Sequence, residues 1–454
     1  MDQTKQEGFR LLPIQTLSSF NSDYPNRIRQ DGSFWQGKGV NLFLDAGVIL
    51  QISDLELRFQ PGFWVAQNLV YDYRVGETAF GDYGWGLDRL QRYGPETYWE
   101  MELGQSEIRY SQWGMTIGLG TRNLVLGPAL FQNLLVSSEA SGFPLLDFGT
   151  DGRLETKWGI FDARVFWGQT RSSTFYDGIP ANDLRFITGA GLAYSPPMLK
   201  EMTFGFIRLF HSPWQTINGW KVFQFFVDTI WKNDRAEFSG GPGLEDDVDQ
   251  VLSVTWEWKL PLYGARVYAE VSRNDHSSVM LDFLMQPDHS LGWVVGMEQK
   301  FSVFEQSGFS FILELADVGN NIGTIVRPTG SWYRHNVTSG GYTQGGQALG
   351  APMGPGSNFQ TMQLGYEQEK YWVKIGLERL NYDADFFYAI SDLNTQPFMK
   401  YNLSMSWKLS SGFKMENWEF AGDLKFTQNW NHNFIPGDFR SNFYLALTTK
   451  YVFM

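Results

Sequence analysis

Residues 442–453, NFYLALTTKYVF, alternate along an extended chain: Phe443, Leu445, Leu447, Thr449, Tyr451 and Phe453 share one face, because successive side chains of a strand point to opposite sides. The run ends within a residue of the C-terminus and carries an aromatic there. A closed barrel needs such a strand at its seam, where the last strand pairs with the first and no edge is left open.

The same period of two recurs upstream. It is clear in 248–260 (Leu252, Val254, Trp256 and Trp258 on one face), 308–318 (Phe309, Phe311, Leu313, Leu315) and 399–409 (Tyr401, Leu403, Met405, Trp407). Read throughout, the pattern predicts strands at 40–51, 55–67, 106–112, 114–121, 152–160, 162–170, 184–195, 202–210, 219–230, 248–260, 263–273, 291–303, 308–318, 358–367, 370–380, 399–409, 416–428 and 442–453, about 18 in all. Most are near the ~9–11 residues that a tilted membrane strand requires. The expected fold is all-β: a transmembrane antiparallel β-barrel of about 18 strands. A large soluble propeller would show a blade-length repeat, and none is visible.

Composition agrees. Aromatics make up 17% of the 454 residues and glycine is plentiful at 48, a mixture suited to aromatic girdles and tight turns. No apolar run approaches the ~18 residues of a membrane helix, and mean hydropathy is -0.28. Cysteine is absent, which excludes disulfides, thiolate metal sites and a cysteine nucleophile. The net charge of -13, with scattered Lys and Arg, argues against nucleic acid as a partner. Met1 to Gln6 lead into polar sequence without an apolar leader core. With barrel strands behind them, the expectation is a mature sequence whose signal peptide has been removed.

Residues 1–37 are polar and turn-rich and read as an irregular periplasmic arm ahead of a barrel body at 38–454. If strand 1 is 40–51 and both termini are periplasmic, the connections 231–247, 274–290, 319–357, 381–398 and 429–441 face the exterior. The long segments 67–105 and 122–151 then fall on the periplasmic side, as internal plug material. Within the second, 124–136 combines apolar blocks with Pro128 and reads as a short buried helix.

These residues resemble the Wzi-type capsule-assembly outer-membrane proteins. The resemblance rests on Trp35-Gln36-Gly37-Lys38-Gly39-Val40-Asn41, Gly104-Gln105-Ser106-Glu107-Ile108-Arg109, Leu126-Gly127-Pro128 with Asn133-Leu134-Leu135-Val136-Ser137-Ser138, and Gly142-Phe143-Pro144. Further on it rests on Gln286-Pro287-Asp288-His289-Ser290, Trp332-Tyr333-Arg334-His335, Gly341-Tyr342-Thr343-Gln344-Gly345-Gly346-Gln347 and Gly354-Pro355-Gly356-Ser357-Asn358. It departs from related sequences at Leu126, where they often carry Trp, and at Ser138-Glu139-Ala140, where they carry an Asn-rich run. The resemblance implies an 18-stranded outer-membrane barrel, occluded by helices below and loops above, that binds capsular polysaccharide at the cell surface without catalysis.

Among motifs with chemical potential, His211-Ser212, His276-Ser277 and His289-Ser290 lack the third, orienting group that sequence adjacency cannot supply. The acidic run Glu245-Asp246-Asp247-Val248-Asp249 lacks the spacing of a calcium loop and reads as a solvated rim. No catalytic residue, metal site or cofactor is expected. The expected partners are capsular or extracellular polysaccharide and outer-membrane lipid. Aromatic platforms beside polar groups suit sugars, which offer apolar C–H faces and many hydroxyls. The candidate polysaccharide-binding residues on the outer loops are Trp332, Tyr333, His335, Tyr342, Asp383, Tyr388, Trp430 and His432. Packing of those rings within the loops is the other reading of the same residues. A diffusion channel is the alternative function.

Overall fold

The computed structural model describes residues 7–453 apart from 27, 29, 74–76, 79–80, 83–86, 228–247, 275–283, 305–306, 321–329, 336–337 and 391–400. Its main sheet has 21 hydrogen-bonded segments, and three pairs of them continue one another across a short break, giving 18 antiparallel strands. In chain order they are β1 (Gly8–Asn21), β2 (Gly39–Ile52), β3 (Leu55–Phe59 and Gly62–Ala66), β4 (Tyr98–Glu102 and Glu107–Gln112), β5 (Met115–Gly120) and β6 (Leu145–Thr150 and Leu154–Thr156). Then follow β7 (Gly159–Arg171), β8 (Leu184–Ser195), β9 (Met202–Pro213), β10 (Asp249–Leu260), β11 (Ala265–Asn274) and β12 (Leu291–Phe304). The last six are β13 (Ser307–Asp317), β14 (Asn358–Gln368), β15 (Tyr371–Tyr382), β16 (Asn402–Met415), β17 (Trp418–Trp430) and β18 (Phe439–Tyr451). Each pairs with its sequence neighbour, and β18 closes on β1 from Asn21↔Tyr444 to Ile14↔Tyr451. The barrel therefore has no open edge.

The strand number matches the sequence reading because two differences cancel. Residues 8–21, expected to be part of an irregular arm, form β1. Their alternation is obscured by Pro13, which sits where the register with β2 shifts between Leu12 and Gln15, as proline in a sheet tends to. It is obscured again by Ser19 and Asn21, which look like loop residues but are buried on the lumen face. Conversely, 219–230, where the sequence pattern predicts a strand, is not one among the described residues. Its described part forms two short helices, α1 (Gly219–Val222) and α2 (Gln224–Val227). Asn218 caps the first by accepting hydrogen bonds from Trp220 N and Lys221 N at 3.0 Å each, an arrangement that starts a helix whatever the strand propensity of the aromatics behind it.

With β1 restored, the connections sort cleanly by end. Those after even-numbered strands span two to six residues, and those after odd-numbered strands eight to forty. Of the expected plug segments 67–105 and 122–151, residues 98–102 and 145–150 belong to β4 and β6; the connections that remain, 67–97 and 121–144, follow β3 and β5, so they leave from the same end as every other long loop. The expectation that they enter from the periplasmic side is thereby corrected. In outer-membrane barrels the short turns are periplasmic and the long loops extracellular. The expected outer connection 231–247 lies outside the described residues, as do parts of 274–290, 319–357 and 381–398.

The outer wall is apolar and the lumen face polar. On β18, Phe443, Leu445 and Leu447 point out, 58%, 51% and 54% exposed without lipid, while Asn442 is buried on the lumen side. Aromatic rings collect toward both rims: Trp418 lies 4.9 Å from Tyr451 near the short turns, and Trp430 lies 5.7 Å from Phe439 near the long loops. Such girdles mark the two membrane interfaces. Among the described residues no helix is long and apolar enough to cross a membrane.

Candidate functional site: the filled lumen and the cleft at its mouth

The segment 121–144 folds inward between the walls. Its middle is irregular and closed by an isolated bridge between Leu126 and Val136, in place of the helix expected at 124–136. The reason lies in where its backbone N–H groups go. Leu130 N and Phe131 N donate to the carboxylate of Glu314 on β13 at 2.8 and 3.1 Å, and Leu134 N donates to Glu270 on β11 at 3.3 Å. Both carboxylates are fully buried and anchored further, Glu314 by the Tyr268 hydroxyl at 2.6 Å and Glu270 by Ser253 Oγ at 3.0 Å. Wall carboxylates thus replace the partners that helical carbonyls would have supplied.

The long loop 318–357 lies on this plug. Trp332, Tyr333 and Tyr342 are wholly buried in the same cluster as Leu134, Leu135 and Phe359. The Tyr333 hydroxyl donates to Leu134 O at 2.8 Å and accepts from Ala351 N at 2.9 Å, and its ring stacks on Tyr342 with centroids 6.1 Å apart. Arg185 of β8, also buried, donates to Ser339 O and Thr343 O and so ties the glycine-rich turn to the wall. Gly340 is required there: its φ is +76°, and a Cβ would stand 2.1 Å from the Arg185 guanidinium.

The expected site residues therefore divide. Trp332, Tyr333 and Tyr342 pack loop against plug and face no solvent. Asp383 is buried, takes two hydrogen bonds from Arg334 at 3.2 and 2.7 Å, and accepts from Phe386 N at the start of helix α3 (Ala384–Ile390). Tyr388 belongs to α3, and its side chain lies outside the described residues. His335 accepts Thr338 N in a turn. Trp430 belongs to the outward girdle. His432 is buried behind the mouth, its ring 5.0 Å from Tyr24.

Around Tyr24 the structure brings residues of the expected arm and periplasmic plug together with residues of the expected outer connections 319–357 and 381–398. Tyr24, Trp35, Tyr71, Arg89, Gln347 and Tyr382 line a narrow cleft of about 60 Å³ between loops 22–38, 67–97 and 318–357. The Arg89 guanidinium lies 5.7 Å over the Tyr382 ring and donates to Met353 O and Pro352 O. Nearby, Asp88 is buried and receives Ser173 N and Ser173 Oγ; burial pushes its carboxyl above the ordinary range. The strand count decides which side these loops occupy, so a single missed strand hid the cleft.

Toward the short-turn end, a chamber of about 610 Å³ remains between the plug tip and the wall. It is lined by an ion network in which Arg109 and Arg164 meet Asp147 at 2.8 and 2.9 Å, and Arg109 and Arg122 meet Glu107 at 3.0 and 2.8 Å. Arg266 also lines it and donates to Pro128 O at the plug tip.

Fold and site define a class: an 18-stranded β-barrel of the outer membrane whose lumen is occupied by its own long loops. No family model matches the chain, and no curated protein matches its sequence. Among solved structures it is similar to Wzi, an outer membrane protein involved in group 1 capsule assembly in Escherichia coli and described as a carbohydrate-binding β-barrel. That likeness has a TM-score of 0.64 and 13% identity, over 97% of this chain and 84% of that one. It also superposes on a BenF-like porin from Pseudomonas fluorescens (TM-score 0.48, 8% identity, 98% of this chain and 99% of that one). A third is OprB of Pseudomonas putida (TM-score 0.45, 10% identity, 98% and 94%). At these identities the likeness is one of fold.

Proposed function

We propose that this chain is a non-catalytic outer-membrane protein that holds capsular or extracellular polysaccharide at the cell surface. The observation that carries the reading is the interlocking of plug and loop through Tyr333, Leu134 and Ala351, which gives the barrel mouth a fixed shape lined with aromatic and amide groups. Rings of Tyr24 and Tyr71 line the cleft and suit sugar C–H groups, and Arg89 and Gln347 supply polar neighbours. A chain of weak contacts of this kind is multiplied by avidity along a polymer. The likeness in fold to a carbohydrate-binding barrel supports the same reading. The test is retention of purified capsular polysaccharide by the detergent-solubilised full chain, with an unrelated polymer as control. Absence of retention overturns it.

The chamber of about 610 Å³ beneath the plug favours a second reading, a diffusion channel. Planar-bilayer recordings separate the two: steady conductance from the intact chain supports the channel, and its absence supports the closed, polymer-holding barrel.

A further inference from the structure

The outward face of β12–β16 breaks the apolar character of the wall in one place. The strand register aligns Trp293, Asp317, Asn358, Asn381 and Leu403 in a row across five strands near the long-loop rim. The row beneath it reads Val295, Leu315, Gln360, Arg379 and Met405. Below that come Met297, Leu313, Met362, Leu377 and Trp407, all apolar. These residues face away from the lumen, because their neighbours Val294, Ala316, Phe359, Leu380 and Asn402 are the buried, inward ones. At the level of the upper row the wall is apolar on either side, with Val271 beyond Trp293 and Trp430 and Phe439 beyond Leu403. A polar notch three strands wide is therefore set into the girdle.

The notch is a groove of about 570 Å³ that also takes in Asn320 and Tyr401. Its polar groups are held in place from within. Arg379 donates to Asn358 Oδ1 at 2.9 Å and Gln360 Oε1 at 2.7 Å, while Asp317 accepts Asn358 Nδ2 and Gly319 N. The amide side chains of Asn320, Asn358 and Asn381 line the groove beside Arg379.

We propose that this groove binds the saccharide headgroup of an outer-leaflet glycolipid, whose acyl chains run down the apolar rows beneath. Three features favour that occupant. The site faces the membrane rather than the lumen, at the height of the long-loop girdle, where headgroups lie. The asparagine amides and the Arg379 guanidinium that line it suit hydroxyl and amide groups. With Asp317 and Asp288 lining the groove beside one arginine, the local charge does not favour an anionic headgroup.

Native mass spectrometry of the full chain in detergent tests this. The probes are a diacyl glycolipid with an uncharged disaccharide headgroup, phosphatidylglycerol of the same chain length, and the free disaccharide. The glycolipid is expected to be retained at least tenfold better than either of the others. That preference is expected to vanish in Arg379→Leu/Asn381→Leu, which makes the groove like the wall around it, and to persist in Met362→Leu on the apolar row below. Heat-modifiability on gels confirms that each variant is folded. Equal retention of both lipids by the parent overturns the proposal, as does an undiminished preference in the double variant. A dimer that covers the groove and excludes the glycolipid overturns it too.

Discussion

Glu314 in the wall of β13 accepts the backbone N–H of Leu130, 184 residues earlier in the chain, at 2.8 Å, and this contact fixes the plug against the barrel. A hydrogen bond to a charged group contributes about 1.5–3 kcal/mol, and losing it leaves a buried N–H without a partner. Glu314→Ala combined with Glu270→Ala is therefore expected to loosen 128–134 while leaving the strand ladder intact. Planar-bilayer recordings should show frequent openings, at least tenfold above the parent, and deletion of 124–136 should give larger steady currents. A double variant as quiet as the parent refutes the anchoring role.

How much of this was legible in the sequence depends on what each residue faces. Strands such as β10 and β18 read clearly because one face meets lipid and the other a polar lumen, so chemistry alternates with geometry. β1 did not, since Pro13 interrupts its register and Ser19 and Asn21 serve the lumen face. The plug's irregular path was illegible for another reason: Glu270 and Glu314, which dictate it, lie more than a hundred residues away. The buried state of Trp332, Tyr333 and Tyr342 likewise follows from Leu134 and Ala351, partners that local pattern does not reveal.

Gly350 marks a tight approach of the long loop to the plug. A Cβ there would lie 2.2 Å from Leu134 O and 2.6 Å from the Tyr333 hydroxyl. Gly350→Ala is expected to force the two segments apart at a cost of about 1–3 kcal/mol. The measurement is hydrogen exchange: faster exchange is expected at 349–353 and at Ser137, whose N–H donates to Leu349 O at 2.8 Å. Unchanged protection at both places would show that the contact is slack.

Asp385 gives the loops a pH dependence. Its carboxylate accepts Asn320 N at 2.8 Å and Ser331 Oγ at 2.6 Å, and burial raises its pKa from 3.8 to about 6. A raised carboxylate pKa means that the docked state binds the proton more tightly than the free chain. Docking is therefore weakest above pH 6 and strengthens as pH falls through 6 toward 3.8, by at most about 3 kcal/mol. Exchange-protection factors of α3 and 330–335 are expected to rise between pH 7 and pH 5 in the parent and to stay level in Asp385→Asn. A parent with no such rise contradicts the assignment.

The polysaccharide reading makes its sharpest claim at the mouth. Tyr24 carries a ring in contact with His432, and Tyr71 lines the same cleft. Loss of one stacking face is worth about 0.5–1.5 kcal/mol. Tyr24→Ala and Tyr71→Ala should each weaken binding of a short capsule oligosaccharide about three- to tenfold, and weaken polymer retention less clearly, because avidity hides single losses. Trp430→Ala alters only the outward girdle and is expected to leave oligosaccharide binding unchanged. Trp332→Ala empties a wholly buried site and should lower stability by about 3–5 kcal/mol, so its effect on capsule attachment is read together with a melting curve. Calorimetry with the oligosaccharide decides the matter: if both tyrosine variants bind as the parent does, the cleft is not the sugar site, and its rings serve only to pack the three loops.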